Sequence, residues 1–160
     1  MKGKIAALGV VVPALLALSV SPASSAGVTT AAGGGVTAKG GGEQFVKLAM
    51  GVGCWFRADE PDRLTVGSHK LWGSVTITRC TPRKPDKCHV IADIANPIRT
   101  LERNDDKWRG CRKKTVKVPY TCKDMVSKHQ YVTVGHLTMI YKGVTNSHVF
   151  KSRTVTQFCG

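Results

Sequence analysis

Carboxylates are scarce in this chain. Ten Asp and Glu stand against 24 Lys and Arg, and aromatic residues make up only 6% of the sequence. The few acids fall into small groups, Asp59-Glu60-Pro61-Asp62 and Asp105-Asp106. Turn chemistry explains both more simply than paired-carboxylate glycoside hydrolysis or calcium binding. Gly-x-Ser-x-Gly and His-Glu-x-x-His are missing, which removes the familiar hydrolase signatures. There is no Cys-x-x-Cys and no His-x-x-x-His, so the close ligand pairs that structural zinc requires are not there. No metal and no cofactor is expected. Beyond the first 20 residues no apolar run approaches the ~20 residues that span a bilayer. No window past that point carries a clear helical period; the best is 43–50, and it is short. No internal repeat is visible.

What the N-terminus does contain is a three-part export signal. Lys2 and Lys4 form its positive start, 5–20 its apolar centre, and Ser21 to Ala26 a small-residue exit with Ser24 and Ala26 suited to the cleavage positions. Residues 1–26 are therefore read as a signal peptide, and the product as secreted, extracellular and without a transmembrane anchor after cleavage. Residues 27–42 are Gly, Ala, Thr and Val with one charge, Lys39. Such a segment cannot bury enough surface to offset its ordering entropy, and it reads as a flexible tail. Residues 43–160 form one domain by length.

The formal charge is +14, and +12 once Lys2 and Lys4 leave with the signal. The excess is uneven. Between residues 107 and 128 stand Lys107, Arg109, Arg112, Lys113, Lys114, Lys117, Lys123 and Lys128, opposed by Asp124 alone. Arg79, Arg83, Lys84 and Lys87 form a second cluster around Asp86. A field of this kind attracts polyanions and speeds encounter with them. Lys107, Arg109, Arg112, Lys113, Lys114 and Lys117 are the candidate anion-binding residues.

Strand patterns dominate. LWGSVTITRC (71–80), CHVIADIA (88–95) and QYVTVGHLTMIYK (130–142) alternate and are rich in Val, Ile and Thr. Asn96-Pro97 marks a bend or edge after the second. Residues 98–103 and 107–118 are expected to pair as a hairpin around Asn104-Asp105-Asp106. Residues 148–158 are expected to return on 130–142 after a turn near 143–147. Short strands at this spacing predict an all-β fold: one disulfide-stabilised antiparallel β-sandwich, with an immunoglobulin-like form left open. The Trp-between-cysteines hallmark of antibody domains is not cleanly present.

Six cysteines, Cys54, Cys80, Cys88, Cys111, Cys122 and Cys159, follow the signal. In an exported chain they read as three disulfides with no thiol to spare. One scheme clamps Cys80 to Cys88 and Cys111 to Cys122 locally and joins Cys54 to Cys159. The other joins Cys54 to Cys80, Cys88 to Cys111 and Cys122 to Cys159. The final hairpin favours the second, because pairing about residue 145 puts Cys159 near Tyr131.

Three further features bear on chemistry. His129, His136 and His148 lie on or beside the last hairpin with Lys128, Lys142 and Lys151 nearby. Two imidazoles and a cation are what metal-free phosphodiester cleavage needs, so a secreted ribonuclease is one alternative. Strand parity argues against a shared wall, since His136 faces away from Tyr131 and Thr133. The segment Cys80-Thr81-Pro82-Arg83-Lys84-Pro85-Asp86-Lys87-Cys88 resembles the reactive loop of Bowman–Birk-type protease inhibitors, but Pro82 stands where the specificity Lys or Arg belongs. An inhibitor acting through Arg83 or Lys84 is the second alternative. Trp55, Trp72 and Trp108 are expected in the core or half-buried on strands.

The ending SPASSA, the Gly/Ala/Thr tail, Cys54…Cys80 and Cys122…Cys159 flanking Thr/Val-rich strands, and the terminal TVTQFCG together resemble the small exported cysteine-bearing β proteins of actinobacteria. The resemblance implies a setting and a fold type, and transfers no functional residues. The expected function is non-enzymatic: binding of an anionic polymer, such as a cell-wall polymer or nucleic acid, or of an acidic protein, through the basic surface.

Overall fold

The computed structural model describes residues 42–159 other than 49, 50, 64 and 66. The expected signal peptide, and all of the expected tail but Gly42, lie outside the described residues. Among the described residues nine strands follow in order: β1 (Gln44–Lys47), β2 (Gly53–Arg63), β3 (Lys70–Thr81), β4 (Lys87–Ala95), β5 (Thr100–Asp105), β6 (Lys114–Thr121), β7 (Lys128–Tyr141), β8 (Val144–Lys151) and β9 (Val155–Phe158). They make two antiparallel sheets. Sheet I has the order β1-β2-β3-β6; sheet II has β5-β4-β7-β8, with β9 also on β7. The all-β class holds. The order is not that of an immunoglobulin domain, where the second strand lies beside the fifth; here β2 lies between β1 and β3.

The period-2 patterns become the two inner faces. Cys54, Phe56 and Ala58 of β2 and Leu71, Val75 and Ile77 of β3 are buried toward Val90, Ala92 and Ile94 of β4 and Leu137 and Met139 of β7. The closest coupling is aromatic. Phe56 of sheet I and Phe150 of sheet II pack in a tilted arrangement with ring centroids 4.0 Å apart. Phe150 needs the space above Gly135, its register partner on β7. A Cβ at Gly135 would collide with the Phe150 ring. The glycine inside the clearest strand of the sequence is thus the seat of an aromatic ring.

The segment 43–50, the best helix window, contains β1 instead. Three other expectations give way to turn chemistry. Asn96-Pro97 is the turn of the β4–β5 hairpin. Asn96 N–H donates to Arg99 O, and Asn96 Oδ1 accepts from the N–H groups of Ile98 and Arg99. Asn first and Pro second is the preferred opening of such a turn. Residues 100–105 therefore pair back onto β4, and the expected hairpin around Asn104-Asp105-Asp106 does not form. β6 starts only at Lys114 and joins the other sheet. The last hairpin turns tightly at Lys142-Gly143, both with positive φ (48° and 79°), the two-residue geometry that matches strand twist. That moves the return register, so Phe158 meets Lys128, and Cys159 falls beyond it rather than near Tyr131. Finally, RADEPD is not a turn but the end of β2. β1 covers only Gly53 to Phe56, so Pro61 lies where β2 has a free edge, and the register slips between Asp59 and Asp62. A residue without an N–H is tolerated at such a place.

The cysteines pair in the second scheme: Cys54–Cys80, Cys88–Cys111 and Cys122–Cys159. The first is a cross-strand pair within sheet I. The second ties β4 to the β5–β6 loop, and the third joins the exit of β6 to the exit of β9. Cys80 and Cys88 are not bonded to each other. The nine-residue loop thus lacks the clamp on which its likeness to an inhibitor loop rested. Among the described residues no helix is long and apolar enough to cross a membrane.

Candidate anion-binding surface

β6 divides the basic stretch. Residues 107–113 precede it at one end of the sandwich; Lys123 and Lys128 follow it at the other. Eight strand residues at ~3.3 Å each separate the two groups by roughly 26 Å.

At the first end, the β5–β6 loop is laid along the start of β4. Cys88 N–H donates to Arg109 O at 2.7 Å, Arg109 N–H returns to Cys88 O at 3.1 Å, and Cys88–Cys111 fixes the arrangement covalently. This brings the loop against the β3–β4 connection. Lys84, Arg109, Gly110, Cys111 and Arg112 line one shallow depression of about 430 Å³. Two clusters far apart in sequence are one surface here. Arg83, Lys107 and Lys113 are exposed on the same two loops. Asp86, the acid of the second cluster, accepts a hydrogen bond from the Lys142 N–H at 2.7 Å. Two expected residues do not join this surface. Lys114 is ion-paired with Asp106, and Lys117 lies on the outer face of sheet I with Asp59, Glu60, Asp62, Trp72 and Ser74.

At the second end, the β4–β5 and β6–β7 loops are the banks of a cleft of about 420 Å³. Its lining includes Ile98, Arg99, Lys123, Lys128, His129 and Tyr131. Asp124 accepts from His129 Nε2 at 2.9 Å and from the N–H groups of Val126 and Ser127. The His129 hydrogen bond, and then those backbone donors, hold its carboxyl well below the usual carboxylate range. Burial pushes the Tyr131 hydroxyl up.

The three histidines of the ribonuclease alternative do not converge. His129 belongs to this cleft. His136 is seven residues along β7, about 23 Å away at strand rise, on the outer face of sheet II. His148 is edge-on to the Phe56 ring at 6.0 Å, on the core side. A different pair does share a face. His89 is diagonal to His136 across β4 and β7, since its direct partner is Thr138; such neighbours are ~7–8 Å apart. His89 Nε2 is bonded to Asp105 and its ring is stacked under Trp108 at 4.9 Å. His136 Nε2 is 3.1 Å from the buried Asp93, which Arg103 grips with two bonds of 2.8 Å. The Asp93 carboxylate in turn raises the Arg103 pKa, through these bonds and then its charge. Sequence reading missed His89. Its only local signal was its odd position beside Cys88 in an alternating strand.

The one set of three potential metal ligands among the described residues is Cys54, Cys88 and Cys111, and all three are in disulfides. A thiolate is needed to bind metal, so these sulfurs are spent. Trp55 and Trp72 are half-buried as expected, whereas Trp108 is 45% exposed. Comparison with protein-family models, with curated proteins and with solved structures finds no match to this chain.

Proposed function

We propose that this is an exported, non-enzymatic binding protein that holds an anionic polymer at the Cys88–Cys111 end of the sandwich. One observation carries the reading: Lys84, Arg109 and Arg112 line a single depression with no carboxylate in its lining. Their charges add where a polymer can meet all three at once, and the disulfide keeps the loop ordered before binding, which lowers the entropy cost of association. The test is retention on immobilised heparin and affinity for a phosphate polymer as a function of salt. The expected result is binding that weakens steeply with ionic strength, and a shallower salt dependence in the Lys84→Glu/Arg109→Glu/Arg112→Glu variant. Binding insensitive to salt, or untouched by the triple substitution, overturns it.

A second reading has one observation in its favour. His89 and His136, each beside a carboxylate, share the sheet face next to this basic end. Acid–base cleavage of RNA uses such a pair. RNA breakdown by the purified chain that is lost in both His89→Ala and His136→Ala supports it; intact RNA rejects it.

A further inference from the structure

The opposite end has a different composition. Ile98 is 89% exposed, Val126 86% and Met125 43%. All three are on the two loops that form the banks of the 420 Å³ cleft, whose lining includes Arg99, Lys123 and Lys128. We propose that this end docks on an anionic lipid bilayer, with Ile98, Met125 and Val126 entering the interface and Arg99, Lys123 and Lys128 meeting headgroup phosphates.

Isolated exposed apolar residues are ordinary. Three on two loops that also carry Arg99 and Lys123, with Lys128 at the end of the second, are not explained by folding, because Ile98 and Val126 gain almost nothing from the core. In an interface the same residues lose their water contact, and the cations gain the negative surface potential. Weak apolar insertion and a basic patch are each marginal alone; together they give stable anchoring. Each Lys or Arg brought near an anionic surface contributes roughly a five-fold gain in partitioning. The one acid of the cleft does not oppose this. Asp124 is turned onto His129 and the backbone of its own loop. The turn bonds at Asn96 and at Asp124 hold both tips in shape. The bilayer is favoured over a small anion because a small anion leaves Ile98 and Val126, 89% and 86% exposed, in water, whereas an interface takes up both the charge and the apolar side chains.

Co-sedimentation of the full chain with vesicles decides the matter. Equal parts of phosphatidylcholine and phosphatidylglycerol are compared with phosphatidylcholine alone. The chain is expected to bind the anionic vesicles at least ten-fold more tightly. Ile98→Asp with Val126→Asp, both at exposed positions, is expected to reduce that binding more than ten-fold while leaving the melting temperature unchanged. Arg99→Glu/Lys123→Glu/Lys128→Glu is expected to abolish the preference for anionic lipid. The Lys84→Glu/Arg109→Glu/Arg112→Glu variant is expected to bind vesicles like the parent. The proposal is overturned by absence of vesicle binding, by binding that survives Ile98→Asp with Val126→Asp, by binding of soluble glycerol phosphate without vesicle binding, or by loss of vesicle binding in the Lys84/Arg109/Arg112 variant.

Discussion

The two ends of the sandwich are built from the same basic stretch, but the most exposed aliphatic side chains, Ile98 and Val126, stand at one of them. At the Cys88–Cys111 end the cations lie on loops bonded to β4, and the exposed apolar side chains there include Trp108, stacked on His89, and Val144, 38% exposed after the Lys142-Gly143 turn. At the Cys122–Cys159 end Arg99 and Lys123 share two loops with the exposed Ile98, Met125 and Val126, and Lys128 follows the second loop as the first residue of β7. Charge alone attracts any polyanion. Charge with protruding aliphatic side chains suits a surface that has both phosphates and hydrocarbon. The difference arises from the fold, since β6 carries the chain from one end to the other within eight residues.

Disulfide removal should break this contrast most strongly. The bridges close separations of 23 and 37 residues, for which the chain-entropy model gives about 3–4 kcal/mol each. Denaturant unfolding of Cys88→Ala/Cys111→Ala and of Cys122→Ala/Cys159→Ala should therefore show similar losses of stability. Their binding should differ. The first pair should release the 106–113 loop and weaken heparin retention, and the second should leave retention largely intact under conditions where both variants remain folded. Equal loss of retention in both would mean that the two ends are not independent.

A smaller effect is expected at the centre, where neither end should be favoured. Gly135→Ala places a methyl group against Phe150, whose ring also packs on Phe56 across the sheets. Overpacking of this kind costs about 1–3 kcal/mol. The midpoint of urea unfolding should fall, with heparin and vesicle binding by the folded protein unchanged. An unaltered midpoint would show that Phe150 has room to move.

The smallest effect is local and acid-dependent. Asp124 has a depressed pKa in the folded state, so its contribution is fully present above the ordinary carboxylate range and fades as pH falls below about 4. The protection factors of the Val126 and Ser127 amides, corrected for the intrinsic pH dependence of exchange, should fall on acidification, while those at the Cys88–Cys111 end show no matching change. In Asp124→Asn, that acid-dependent step should disappear. A step that persists in the variant would assign the effect to another group.

Much of the architecture was legible from local pattern. Alternation in 71–80, 88–95 and 130–142 is set by side chains pointing to opposite faces, and β3, β4 and β7 follow it. The pairing of the six cysteines was narrowed to two schemes, and the final hairpin pointed to the one observed, although its turn lies earlier than expected. Errors came where a turn signal had two meanings. Asn96-Pro97 opened a hairpin rather than bending a strand, and Asp59-Glu60-Pro61-Asp62 ended a strand rather than forming a turn. The first error also misplaced β5, and with it the route of the basic residues.

The sequence by itself determined the strand-forming alternation, the excess of positive charge and an even set of cysteines, because each is a property of composition or of neighbours along the chain. Tertiary structure decided which cations act together. Lys84 meets Arg109 and Arg112 through Cys88–Cys111, while Lys114 pairs with Asp106 and Lys117 goes to another face. It also placed His89 diagonal to His136 and left Ile98 and Val126 bare beside Arg99, Lys123 and Lys128. These juxtapositions depend on how strands distant in sequence share a sheet and where their loops emerge, and no local periodicity encodes that.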